Sequence, residues 1–295
     1  MAENRHVTMN ACDAGETTRA REEGPGETRG MNISVVIPTF QRVDVAVRAV
    51  RSALEQTEPP LEVIVCDDAS IDATEATFKA WAARDQRVRY LRNARNAGTP
   101  AVGRNAGVAA ARGEWIAFLD DDDSWLPHKL ERQRPYLDRG MVVAGNAQRL
   151  SHTEPHVPDV SVETYLGIED VVTGNPVIQS TAITERDAVI RVGGFPEARW
   201  LRGVEDYVLW LKLADHGFRF TVLREPLALY EDRQIDGRLS TARARRQAAV
   251  ACYLLKRLAG RPRDRAAARA ALRHTIVAAH LAHDVWKQRA GRRPA

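Results

Sequence analysis

Four consecutive carboxylates, Asp120, Asp121, Asp122 and Asp123, end the apolar run of "WIAFLDDDDSW". Like charges crowded this closely repel unless a cation or hydrogen-bond donors sit among them. Magnesium and manganese select carboxylate oxygens, keep several waters and take further ligands from phosphate, so Asp120-x-Asp122 is enough protein for one site. A second pair, Asp67-Asp68, ends "LEVIVCDD", and a third, Glu205-Asp206, precedes Leu209, Trp210 and Leu213 at helical spacing. A carboxylate near such a site can serve as general base. Plainer readings exist for each: Asp67-Asp68 and Asp123 or Ser124 as helix caps, and Glu205-Asp206 as first-turn acids offsetting the helix dipole. Asp123 is expected to share its charge between the acidic turn and a helix start. His280 and His283 share a helical face with Asp284, in an Ala-rich stretch where packing or surface explains them.

These acids need elements to position them. Residues 33–38, 61–68, 87–92 and 114–120 read as buried strands, and 43–56, 72–85, 100–112 and 128–140 as helices, with Ser70 or Asp72 capping the second helix. The alternation predicts an α/β fold with a mostly parallel sheet and helices on both faces. Ligands of such sheets bind beyond the carboxyl ends of the strands. Those ends are Pro38-Thr39-Phe40, Asp67 to Ser70 and Asp120 to Asp123, which implies a divalent metal with a phosphate-bearing ligand beside it. Further on, 179–184 reads as a strand, 186–195 as a short helix stopped by Gly193 and Gly194, and 204–217 as a helix closed by Gly217. Residues 240–260 and 264–289 favour two terminal helices.

The 295 residues suffice for one main domain with appendages. Residues 1–30 hold almost no large apolar side chain and are expected to be a disordered tail, 31–237 the main domain, and 238–295 a basic helical extension. That extension carries fifteen Lys and Arg against two Asp, although the whole chain has a formal charge of only +4. An acidic body with a basic tail suits contact with an anionic surface. No apolar run is long enough to cross a bilayer and no secretion signal is apparent, so a cytoplasmic protein is expected. Cys12, Cys66 and Cys252 lack metal-ligand spacing and are an odd number, which argues against zinc and against a disulfide framework. No nucleic-acid-binding motif accompanies the charge, and no nucleic acid partner is expected.

Five stretches in order, "SVVIPTFQR", "VIVCDDASIDAT", "RNAGTPAVGRNAG", "WIAFLDDDDSWLPHKL" and "GGFPEARWLRGVEDYVLWLKLADHGFRF", resemble the family 2 glycosyltransferases. The resemblance implies the GT-A fold, a Rossmann-like α/β sheet, here with added C-terminal helices. It also implies an inverting hexosyl- or N-acetylhexosaminyltransferase using a UDP- or dTDP-sugar and Mg2+ or Mn2+. Pro38, Thr39, Phe40, Arg42, Arg95 and Asn96 would contact the nucleotide sugar. Asp67 would meet a uracil or thymine imide, with Asp68 beside it, and Arg104 and Asn105 would face the nucleotide. Asp120 and Asp122 would be the two acids of the D-x-D motif, Asp122 foremost at the metal and Asp120 nearer the ribose, with Asp121 the variable middle position. Asp206 would be the catalytic base beside Glu205, and Trp210 would wall the acceptor site. The acceptor hydroxyl belongs to an unspecified glycan, lipid-linked sugar or small molecule, and the basic tail could dock peripherally on the inner face of a membrane. One departure is "LYEDRQIDGRLST", which lacks the histidine often found in the family's segment after the last core strand; Arg233 and Arg238 could still meet phosphate there. Two other readings compete. A sugar nucleotidyltransferase needs a Gly-rich loop after the first strand, which "PTFQR" is not, and a non-catalytic sugar-nucleotide-binding scaffold does not need the retained acids.

Overall fold

The computed structural model describes residues 32–150, 163–165, 167–172, 174–231, 239–260, 267–275 and 277–279. Its elements begin with β1 (Ile33–Thr39), α1 (Val43–Leu54), β2 (Glu62–Asp67), α2 (Thr74–Ala82), β3 (Val88–Arg92), α3 (Pro100–Ala110) and β4 (Trp115–Phe118). The chain continues through β5 (Ser124–Trp125), α4 (Lys129–Gln133), β6 (Met141–Arg149), β7 (Glu163–Tyr165) and α5 (Ile168–Val171). It then forms β8 (Ile183–Glu185), α6 (Arg186–Arg191), α7 (Glu205–Asp215), β9 (Arg219–Tyr230) and α8 (Leu239–Gly260). The described residues all belong to one unit, Met31–Ala295.

Strands β1 and β2 are buried at every residue, so they need cover on both faces. On one face Val35, Ile37, Val63 and Val65 pack with Ala46, Ala49 and Val50 of α1 and Phe78 of α2. On the other, Val36, Ile64 and Cys66 pack with Ala101 and Val108 of α3. Helix α3 starts on Thr99, whose side chain accepts from the Ala101 amide, with Pro100 in its first turn. It lies close to the sheet because residue 107 is glycine: a Cβ there would stand 2.5 Å from Val36 Cγ1 and 2.8 Å from the Cys66 sulfur.

The sheet has nine strands, in the order β3-β2-β1-β4-β8-β6-β9-β5, with β7 also on β9. The expected parallel pairing holds through β3, β2, β1 and β4 and returns between β6 and β9. Strand β8 joins both β4 and β6 antiparallel, and β5 and β7 join β9 antiparallel. Three expectations are corrected. Helix 128–140 is shorter, because Pro135 lacks an amide and the chain tightens into a 3-10 turn at Arg134–Tyr136. Residues Gln179–Thr181 form a 3-10 turn, and only Ile183–Glu185 is strand. No helix starts at Asp123; Ser124 and Trp125 instead pair with Leu229 and Ala228 of β9.

Helix α7 lies deep in the molecule, with Tyr207 to Leu211 buried beside Phe118 and Val142. Ala249, Val250 and Leu254 of α8 and Ala267, Ala270 and Ala271 enter the same apolar cluster. Arg257 pairs with Asp215 at 2.6 Å and fastens α8 to the end of α7. Among the described residues no helix is long and apolar enough to cross a membrane.

Candidate active site

A cleft of about 350 Å³ opens at the carboxyl ends of β1, β2 and β4. Pro38, Thr39, Phe40 and Arg42 form one wall, Asp68 and Asn96 another, and Arg104, Asp120, Asp121 and Asp122 the floor and rim. Two non-glycine residues bend the chain at the strand ends with positive φ, Gln41 at 53° and Ala69 at 63°. The Gln41 amide donates to Ser70 Oγ at 2.8 Å, joining the two bends. Strained backbone of this kind costs of order 1–3 kcal/mol per residue and concentrates at ligand sites.

The four aspartates have separate surroundings. The Asp120 amide donates to Ser180 Oγ at 3.1 Å, and its carboxylate accepts from Arg104 Nη2 at 2.6 Å. Asp121 accepts from Thr39 Oγ1 at 2.8 Å, and burial together with the charge of Asp122 pushes its pKa up to about 6. Asp122 has the most open carboxylate of the cleft acids and accepts from Arg42 Nη1 at 2.7 Å. Burial and the charge of Asp120 raise its pKa. Asp123 is pushed up to about 8, first by burial and then by the charge of Asp120. Both carboxyl oxygens of Asp123 accept, one from Ser180 Oγ and the other from the Glu231 amide. Ser180 also accepts the Trp125 indole N–H on its carbonyl at 2.6 Å, so this one residue holds three points of the acidic turn.

Arg104 joins the acidic turn to α7. Its buried guanidinium donates through Nη2 to Asp120 and through Nη1 to Glu205 at 2.9 Å, and lies 5.3 Å from the Phe195 ring centre. Burial works against this cation, but Asp120 and Glu205 outweigh it and raise its pKa. Glu205 also accepts from the Gly203 amide at 2.5 Å. Its neighbour Asp206 is within 3.4 Å of Asn175 Nδ2. Burial and the charge of Glu205 push Asp206 up to about 6, with Arg104 pulling the other way.

Of the other expected site residues, Asp68 lines the cleft, whereas Asp67, Arg95, Asn105, Trp210 and Asp206 do not. Asp67 is buried, with one oxygen accepting from the Ser70 amide and hydroxyl and the other from Tyr90 and Arg92. Asp68 accepts from the Ala97 and Gly98 amides and shapes the loop that carries Asn96. Arg95 is exposed outside the cleft lining. Asn105 accepts from the Phe195 amide and donates to its carbonyl, pinning the Gly193-Gly194-Phe195 turn. Trp210 is fully buried, 6.3 Å edge-on from Phe118, so here it is a core residue and not a wall of an open site. Asp206 opens on a neighbouring cavity of about 450 Å³ that it shares with Asn175, Tyr207 and Arg246. The sequence reading missed Ser180 and also Arg202, which lines the cleft beside Asn96 and Arg104. Arg202 lay inside a quoted motif but carried no distinguishing spacing; Ser180 had no signal at all.

The donor set fits a hard cation. Asp120 and Asp122 offer carboxylate oxygens to the cleft, and the like charge of Asp120 acting on Asp122 favours a positive charge between them. Arg42, about half exposed, supplies that charge here and has room to swing away. Among the described residues no three His, Cys, Asp or Glu side chains gather as an all-protein metal site. Magnesium or manganese completed by water and phosphate needs only one or two carboxylates.

A parallel sheet that turns mixed beyond β4, with an acidic turn at that junction, has the GT-A architecture. Residues 34–168 match the family described as glycosyl transferase family 2, which supports a family 2 glycosyltransferase. An uncharacterized glycosyltransferase of Rickettsia bellii is 27% identical over 201 residues, which is 67% of this chain and 28% of that protein. The chain thus spans less than a third of that relative's length. Two solved structures share the fold. One is S. aureus TarS 1–349 in complex with UDP-GlcNAc, with a TM-score of 0.60 and 22% identity over 76% of this chain and 67% of that one. The other is the mannosyltransferase PcManGT from Pyrobaculum calidifontis in complex with GDP-Man and Mn2+, with a TM-score of 0.61 and 19% identity over 90% and 76%.

Proposed function

We propose that the protein is a metal-dependent, inverting glycosyltransferase that moves a hexosyl or N-acetylhexosaminyl group from a UDP- or dTDP-sugar to an acceptor hydroxyl. The observation that carries this reading is the buried Arg104 bridge, which places Asp120 and the start of α7 on opposite sides of one guanidinium. The donor would lie in the cleft against Pro38, Thr39, Phe40 and Asn96, and the acceptor would approach from the cavity on which Asp206 opens. TarS and PcManGT, with their bound nucleotide sugars, support the donor class by likeness of fold.

Asp206 would take the proton of the acceptor hydroxyl as that oxygen attacks the anomeric carbon from the side opposite the diphosphate. One displacement inverts the anomeric centre. Glu205, held by Arg104 and the Gly203 amide, would position Asp206 and keep its carboxylate poised. Asp122 and Asp120 would hold Mg2+ or Mn2+, which when bound offsets charge on the departing diphosphate. Arg42 and Arg202 stand at the same cleft and would meet phosphate oxygens.

Turnover of a panel of UDP- and dTDP-sugars, with Mn2+ and after chelation, tests the reading. Activity should require the metal, and Asp206→Asn should lower kcat by about 10²- to 10⁴-fold with donor affinity kept. Tight donor binding without turnover of any donor would favour the scaffold reading instead.

A further inference from the structure

The mechanism above uses Arg202 but gives no role to Arg199, Arg245, Arg246 and Arg273, which stand nearby. Helix α8 lays Arg245 and Arg246 opposite the segment that carries Arg199 and Arg202, and these four line a cavity of about 760 Å³. Arg202 is shared with the donor cleft, while Gly203 and Arg246 are shared with the cavity of Asp206. The three spaces therefore adjoin, and Arg246 lines the same cavity as Asp206. The Asp206 cavity adds Arg273.

Surface arginines usually find a carboxylate. Arg199 donates to the Ala97 carbonyl, but Arg202, Arg245, Arg246 and Arg273 have no carboxylate partner among the described residues. Gly203 makes room for this arrangement: its φ is +85°, and a Cβ there would stand 2.9 Å from Arg246 Nε. His274 lines the same cavity. It is 93% buried, since its relative exposure is 7%. Its Nδ1 faces Gln247 Oε1, and its Nε2 has no partner. The cavity thus offers two guanidinium groups, and among the described residues the only acid in its lining is Asp206.

We infer that Arg246 and Arg273, with Arg245 lining the adjoining cavity, form an acceptor subsite for a phosphate-bearing hydroxyl compound. The guanidinium fork matches phosphate oxygens, and several unpaired arginines exceed what a single carboxylate would offset. Phosphate held there brings a hydroxyl of the same molecule towards Asp206. The inference rests on the proposed transferase reading for its chemistry, but anion binding can be measured without it.

The first measurement is calorimetric titration of the full chain with inorganic phosphate and with glycerol 3-phosphate. Saturable binding is expected, weakened at least tenfold in the double variant R246Q/R273Q and less in R246K/R273K, with unchanged melting of both proteins. Absence of binding, equal binding in the double variant, or binding lost with R42Q alone would overturn the subsite. The second measurement is donor turnover with glycerol against glycerol 3-phosphate, and with a free hexose against its phosphate. A preference of at least tenfold for the phosphorylated compound, lost in R246Q/R273Q, supports the inference; equal use of the neutral compound sinks it. Binding to anionic vesicles that depends on Arg246 and Arg273, without binding of either soluble phosphate, would assign these residues to a lipid surface and overturn the subsite. Phosphate binding in a protein that turns over no nucleotide sugar would instead remove the transferase reading and leave the anion site.

Discussion

Asp206 has a pKa of about 6 because burial and Glu205 oppose its charge while Arg104 restores part of it. A base must be ionised to accept a proton, so kcat should climb about tenfold per pH unit below about 6 and level off above it. A pH–rate profile checks this, and a flat profile between pH 4.5 and 7 would remove Asp206 as the base. Lys129 presents the converse case. Its Nζ is wholly buried 4.0 Å from the Trp125 ring, has no hydrogen-bond partner, and is driven by burial well below its usual pKa. An unpartnered buried donor costs roughly 1–3 kcal/mol, so Lys129→Met should raise stability by about 1–2 kcal/mol in urea unfolding. At this scale the sequence disclosed the acids, because acidic residues at strand ends are conspicuous. It misplaced Trp210, because an apolar residue at helical spacing reads the same whether it faces a cleft or the core. Ser180 was invisible: a serine in a polar turn becomes informative only once Asp120, Asp123 and Trp125 are seen around it.

The close approach of α3 to β1 and β2 positions Arg104, and that approach depends on Gly107. Gly107→Ala gains roughly 1 kcal/mol of helix propensity but forces a methyl into Val36 and Cys66, where overpacking costs typically 1–3 kcal/mol. A net loss of up to about 2 kcal/mol in chemical denaturation is expected. Gly103 supplies the contrast, since its Cβ would meet Cys66 and Pro38 only at 3.4 Å or more. Gly103→Ala should be neutral or stabilising, and equal losses at the two positions would defeat this account. Elements with strong periodicity or unbroken apolar runs, such as α1 and β1, were legible before folding. Strand β6 was not, because Gly145, Asn146 and Gln148 dilute its β signal, and its pairing with β9 at 78 or more residues' separation supplies what propensity lacks. The helix start expected at Asp123 is absent for a related reason: only the distant β9 decides that Ser124 and Trp125 are strand.

Across the whole molecule, the buried His274 links the terminal helical residues to α7, its ring 6.4 Å from Tyr207. Burial, with the nearby Arg273, lowers its pKa to about 4 from an ordinary value of 6.5. Between those values the unfolded chain binds a proton that the folded chain refuses, and stability rises with pH wherever the unfolded state binds more protons. The contribution of His274 is therefore present above pH 6.5 and lost as pH falls towards 4. Asp206, whose folded pKa is raised, has the opposite sign over pH 3.8 to 6, so a wild-type profile alone mixes the two. The difference between wild type and His274→Phe separates them: the variant should lack the acid-side loss, and the gap between the two curves should change mainly from pH 6.5 to 4. Urea unfolding at half-unit steps measures it, and a gap independent of pH would show that His274 is not held neutral in the fold. Because phosphate at the proposed acceptor subsite would bind beside this histidine, the same series repeated with glycerol 3-phosphate should show stabilisation in the wild type that shrinks in R246Q/R273Q.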